Sequence, residues 1–125
     1  MNKVGKPVVV RHDGFFVVRD DYIDGGTKYR GAQALIDSMP DVDEFVYGGG
    51  SAYGFAQIAL AKACKDNGKK FTMFLAKRKV LHPCTARAVH FGCNLIEVKM
   101  GMLSVTQSRA RKHVEATDRS AIVPM

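Results

Sequence analysis

The sequence predicts an α/β domain: an open, mostly parallel sheet with helices on both faces, three layers in all, preceded by a β-hairpin. Three observations predict it. From Glu44 onward, short runs rich in β-branched and aromatic residues alternate with longer stretches of helical spacing, the pattern of successive βα units. Glycines and prolines punctuate the joins between these runs, where the chain must turn. Ahead of Glu44, two apolar runs flank His12-Asp13-Gly14, and Asp-Gly favours a tight hairpin turn.

At 125 residues, 46% of them hydrophobic, the chain is long enough for one packed core and short for two. The expected organisation is one domain over 1–125, with the hairpin and a loop in 1–27 and a helix plus βα units in 28–125. No internal repeat, low-complexity stretch or interdomain linker is visible.

Val8-Val9-Val10 and Phe15-Phe16-Val17-Val18 are the expected hairpin strands. The polar stretch 20–26 leads to Thr27-Lys28-Tyr29-Arg30, after which Ala32, Leu35, Ile36 and Met39 recur at helical spacing up to Pro40. Glu44 to Tyr47 has the composition of a strand, Gly48-Gly49-Gly50 that of a loop. Ser51 to Asn67 follows as a helix closed by Gly68, where a left-handed cap is wanted. Phe71 to Ala76 is a strand, and His82-Pro83 opens a helix to about Phe91, because proline is tolerated in a first turn, with Gly92 beyond its end. Asn94 to Val98 is a strand. Ser104 and Gln107 have capping-box spacing for a helix carrying Arg109 to Ala116, and Ala121-Ile122-Val123 adds a short last strand.

Composition narrows the function. No apolar run approaches the roughly 20 residues that span a bilayer, and Met1 to Pro7 has lysines with no apolar signal core after them. The expectation is a cytoplasmic protein without a membrane partner. Cys64, Cys84 and Cys93 form neither an even set nor a Cys-x-x-Cys pair, which suits a reducing compartment; His82 and Cys84 are the nearest His/Cys pair and have no further ligands in sequence, so no metal site is expected. Cys84, near a helix start, is either a reactive thiol or a partly buried inert one. The net charge of +7 attracts anions, but the Lys and Arg residues are dispersed and not interleaved with aromatics, so a solvated basic face ranks ahead of nucleic-acid binding.

The glycine loop is the most informative local feature. Gly48-Gly49-Gly50-Ser51 lies between a strand and a helix, where unpaired helix amides and the helix dipole favour an anion and glycines let it approach. It is neither a Walker loop, lacking the Gly-Lys-Ser/Thr, nor a dinucleotide fingerprint, since Tyr53 stands where the last glycine belongs. The same glycines also suit a simple tight turn with Ser51 as N-cap.

A longer pattern adds to this. Val18-Arg19-Asp20-Asp21 followed by Gly25-Gly26-Thr27-Lys28-Tyr29-Arg30 resembles the lysine segment of the tryptophan-synthase-β-like, fold-type-II pyridoxal-phosphate enzymes, closest to aminocyclopropane-carboxylate deaminases and D-cysteine desulfhydrases. Gly49 to Gln57 is similar to that family's substrate-carboxylate loop and the helix after it. Ala76-Lys77-Arg78, Leu81-His82-Pro83, Gly92 and Gly101 to Val105 continue the likeness in order, from about Phe16 to Pro124.

The resemblance implies a small-domain fold and assigns Lys28 as the catalytic residue that attaches the cofactor, pyridoxal phosphate. A lysine desolvated in a pocket becomes a nucleophilic amine. It implies Gly49, Gly50, Ser51 and Tyr53 as substrate-carboxylate contacts, and Ala52 and Tyr53, with Lys28, beside the cofactor. Tyr53 either contacts a ligand or packs at the helix start. The family has asparagine where this chain has Ala52, so one cofactor contact is missing. The family's phosphate-holding loop lies past Met125, so a diminished relative is expected: weak cofactor binding and little or no turnover alone.

Three readings follow. One is a lyase- or deaminase-like relative that binds a small carboxylate or amino acid, and pyridoxal phosphate weakly, with a second chain completing the site. The second is a non-catalytic interaction module, expected as a homodimer because a chain resembling part of a larger fold leaves apolar area to cover. The third is a binder of nucleotide or nucleic-acid phosphate through the glycine loop and Lys77-Arg78-Lys79.

Overall fold

The computed structural model describes residues 8–19, 27–48, 56–99 and 103–124. The hairpin comprises β1 (Val9–His12) and β2 (Phe15–Val18), paired antiparallel with Val9 opposite Val18 and His12 opposite Phe15. Its two-residue turn holds Asp13 at φ 48° and Gly14 at φ 81°. Two successive left-handed residues make the turn whose twist matches the strands, and Asp-Gly is chosen for it. Both faces of this ribbon are open: Phe15 and Phe16 are 74% and 78% exposed.

The rest is three layers. After α1 (Thr27–Ser38) come β3 (Glu44–Tyr47), α2 (Ala56–Asp66), β4 (Lys70–Ala76), α3 (Pro83–His90), β5 (Asn94–Val98), α4 (Leu103–Glu115) and β6 (Ser120–Ile122). The four later strands form one parallel sheet in the order β5-β4-β3-β6, with Phe45 beside Phe71 and Val46 beside both Thr72 and Ile122. This is the open parallel sheet with an N-terminal hairpin expected from the strand–helix alternation.

Side chains alternate across a strand, and β4 divides its residues accordingly. Phe71, Met73 and Leu75 join Phe45 and residues of α1, α2 and α3 in the larger core, which includes Ile36, Ala59 and Ala88. Phe74 joins Val46, Val98 and Ala110 of α4 in the smaller core on the opposite face. Burial on both sides explains why Phe71-Thr72-Met73-Phe74-Leu75 is almost continuously apolar.

Helix ends follow the local chemistry. Gly68 and Gly92 hold φ 67° and 96° just past α2 and α3, the left-handed cap that costs glycine least. His82 caps α3, its Nδ1 accepting from the Cys84 amide at 3.2 Å, with Pro83 as the first helical residue. One expectation is corrected. Helix α4 begins at Leu103, so Ser104 lies inside its first turn and not before it. The hydroxyl donating to a backbone carbonyl there is that of Thr106, to Leu103 at 2.8 Å. Ser and Thr serve either role, so spacing alone misplaces the start. Two strand limits also shift by a residue, to Lys70 and to Ser120–Ile122.

Candidate functional site

The sheet topology marks a place for a ligand before any side chain is considered. Passing from β3 to β4 to β5 the chain moves steadily toward one edge, with α2 and α3 on the larger-core face. It then crosses back along the other face through α4 and adds β6 on the far side of β3. The helix after β3 and the helix before β6 therefore lie on opposite faces of these neighbouring strands, and in open α/β sheets a crevice opens at the carboxyl ends where the strand order reverses in this way. Gly48, at the head of the glycine loop, emerges there.

Among the described residues, two cavities at this end share Val123 and Pro124 as a common wall. One, of about 270 Å³, is lined by Lys28, Gly31, Ala32 and Leu35 of α1, by Ala56 and Leu60 of α2, and by Val123 and Pro124. Among the described residues, Lys28 is the only one of the lining with a charged side chain. The other, of about 300 Å³, is on the α4 side and is lined by Gly48, Gln107, Arg111, Ile122, Val123 and Pro124.

The Lys28 cavity is built by the way α1 crosses α2. The Tyr29 hydroxyl donates to Asp66 Oδ2 at 2.6 Å, and Lys62 Nζ meets the same oxygen at 2.7 Å while lying 4.9 Å above the Tyr29 ring. Gln33 and Asn67 exchange amide hydrogen bonds of 3.1 and 2.8 Å. These contacts hold α1 through one stripe of residues, and the stripe containing Lys28, Gly31 and Leu35 faces the cavity. Lys28 itself is exposed in the first turn, so the enclosure expected for it is partial, beside apolar walls from α1, α2 and Val123. Gly49, Gly50, Ser51, Ala52 and Tyr53 lie outside the described residues, as do Asp20 and Asp21. The structure thus places Lys28 and the mouth of the glycine loop at one end of the sheet.

Near the start of α2, Gln57 is pinned. It is 2% exposed, and Thr85 of α3, 1% exposed, donates to its Oε1 at 2.9 Å. A buried amide held this way fixes the start of α2 relative to α3.

The opposite, amino end of the sheet carries a polar cluster that the sequence reading did not single out. Glu44 is 5% exposed; Thr72 donates a hydrogen bond to its Oε2, His113 Nε2 lies 3.1 Å and Lys70 Nζ 3.7 Å from the same oxygen. Burial pushes the Glu44 carboxyl up, but hydrogen bonds from Thr72 and His113 and the charges of His113 and Lys70 outweigh it and hold the group below its ordinary value. The only sequence signal was a glutamate and a threonine at inward positions of two buried strands. Nearby, Asp43 is held low by its hydrogen bond from Arg119.

Charge follows the strand direction. Asp41, Asp43, Glu44, Asp66, Glu115 and Asp118 lie at the amino end, by topology, where Lys62, Lys69, Lys70 and Arg119 pair with several of them. The carboxyl end exposes Lys77, Arg78 and Lys79 after β4 and Lys99 after β5, with Glu97 as an acidic neighbour. Of the cysteines, Cys64 and Cys93 are buried, and burial pushes both thiols up to about 12; Cys84 is half-buried. Among the described residues no helix is long and apolar enough to cross a membrane.

No protein-family model matches the sequence, and no curated protein matches it. Solved structures do resemble the fold. A hydrogen sulfide-producing enzyme from Fusobacterium nucleatum superposes with a TM-score of 0.74 at 14% identity, over 94% of this chain and 42% of that one. An O-acetylserine-dependent cystathionine β-synthase from Helicobacter pylori gives a TM-score of 0.67, also at 14% identity, over 94% of this chain and 43% of the other. At that identity the likeness is one of fold, and the chain spans less than half the length of either enzyme.

Proposed function

We propose that this chain is the lysine-bearing unit of a pyridoxal-phosphate-dependent enzyme of the fold-type-II class, binding a small amino acid or carboxylate. The observation that carries the reading is the position of Lys28, which lines an otherwise apolar cavity beside the carboxyl end of β6, in a fold like that of a hydrogen sulfide-producing enzyme and a cystathionine β-synthase. The order of segments, lysine first and glycine loop next, supports it.

The fit to the cofactor is to its attachment. A lysine on the rim of a cavity walled by Ala32, Leu35, Leu60 and Val123 suits attachment to an aromatic ring, which those apolar walls would pack against. The described walls offer no phosphate donor besides that amine, so the reading gives this chain the lysine and the carboxylate loop. Little turnover is expected until another polypeptide segment holds the phosphate. When bound, pyridoxal phosphate supplies an electron sink for bonds at the α-carbon of an amino acid.

The chain's own residues then have separable tasks. Lys28 holds the attachment point and can accept or return a proton at its Nζ. Gly49, Gly50 and Ser51 offer backbone amides and a hydroxyl to a carboxylate, and Tyr53 flanks it. Gln57, pinned by Thr85, holds the start of α2 in place relative to α3. Titration of the chain with pyridoxal phosphate, followed by absorbance, tests the reading: a saturable spectral change lost in Lys28→Ala supports it, and the same change in the variant defeats it.

A second reading concerns assembly. Phe15, Phe16, Val9 and Val18 are more than half exposed on an isolated two-stranded ribbon, a unit that is marginal in water without a cover. A second copy of the chain is the proposed cover, giving a homodimer.

A further inference from the structure

The α4-side cavity is not used by the Lys28 reading. Gln107 and Arg111 are four residues apart on α4, so they share a helix face one turn apart, and both line the cavity. Helix and strand approach closely here because Gly48 has no side chain. A Cβ at Gly48 would stand 3.0 Å from Ala110 Cβ and 3.2 Å from Gln107 Cα. The exit of β3 therefore supplies bare backbone as one wall, and Ile122, Val123 and Pro124 supply an apolar one.

We infer that this cavity binds a small oxyanion with a short apolar body, a carboxylate or a phosphate monoester, with Arg111 as its anchor. A guanidinium presents a planar fork that engages two oxygens of either head group. Among the described residues Arg111 makes no ion pair that would compete. The surrounding end of the sheet is cationic through Lys77, Lys79 and Lys99, which raises the local concentration of anions. At about 300 Å³ the cavity is at the small end of ligand sites, and Ile122, Val123 and Pro124 favour a ligand with a few carbons over a bare ion.

The test is a titration of the full-length chain with sodium butyrate and with propyl phosphate at constant ionic strength, followed in amide ¹H–¹⁵N spectra. The expected result is saturable movement of the Gly48, Gln107, Ile122 and Val123 amides, with acetate weaker than butyrate. The tighter of the two probes identifies the head group. Arg111→Gln weakens binding by about tenfold or more, the worth of one charge-assisted hydrogen bond, while Lys28→Gln leaves it unchanged. Arg111 is exposed, and a superposable spectrum of the free variant checks its fold. Absence of saturable shifts with both probes, or shifts indifferent to Arg111→Gln, overturns the site. Shifts confined to Lys77, Lys79 and Lys99 that fade with salt also overturn it, assigning the attraction to the basic rim. Loss with Lys28→Gln overturns a separate site by merging the two cavities.

Discussion

Glu44 is a carboxylate that folding has made easier to ionise despite burying it. Its ordinary value is 4.5 and its folded value is lower, so the stability it contributes is fully present above the ordinary value and is lost as pH falls through the folded one. Glu44→Gln is expected to cost about 1–3 kcal/mol at neutral pH, because Thr72 and His113 lose a charged partner in a buried place. It also flattens the acid limb of stability. Urea melts of both proteins between pH 7 and 3 check this, and a difference that stays constant across the range would contradict it. A lone residue's burial is poorly legible in a sequence: Glu44 opens a strand, where a glutamate is usually solvated, and His113 is 69 positions away. Lys28 stands out in the sequence only through its neighbours in order, whereas its exposure depends on how α1 lies across α2.

At the scale of elements, the contact between β3 and α4 is set by one missing side chain. Gly48→Ala is expected to destabilise by about 1–3 kcal/mol, since the new methyl meets Ala110 and the Gln107 backbone, which cannot give way without moving the helix. Gly31, with open space where its Cβ would stand, is the contrast: Gly31→Ala in the exposed face of α1 is expected to stabilise by about 0.5–1 kcal/mol through helix propensity. Thermal melts of the two variants compare them directly, and equal effects would mean that α4 is not packed on β3 as described. Strands and helices were legible because their periodicities differ and because Asp13-Gly14, Gly68 and Gly92 each satisfy a backbone need. The start of α4 was not, because Ser104 suits both a cap and a first turn. The crossing of α4 to the opposite face also carries no local signal; it follows from β6 pairing with β3 on the side away from β4.

Across the whole molecule, the four parallel strands point their carboxyl ends at one surface, and the chemistry gathers there. Lys28 and Arg111 line cavities on either side of the β6 exit, Gly48 lines the second of them, and Lys77, Lys79 and Lys99 give that surface positive charge. The net charge was legible at once, but its separation along the strands requires the topology. In the proposed function Lys28, among the chain's many lysines, is the amine that takes pyridoxal phosphate. Borohydride reduction of the chain in the presence of a limiting amount of pyridoxal phosphate traps any covalent link, and peptide mass analysis then locates it. The expected result is a phosphopyridoxyl group concentrated on the peptide containing Lys28, whereas label spread over Lys77, Lys79 and Lys99 in proportion to exposure, with Lys28 no richer than they are, would rule out a special role for Lys28.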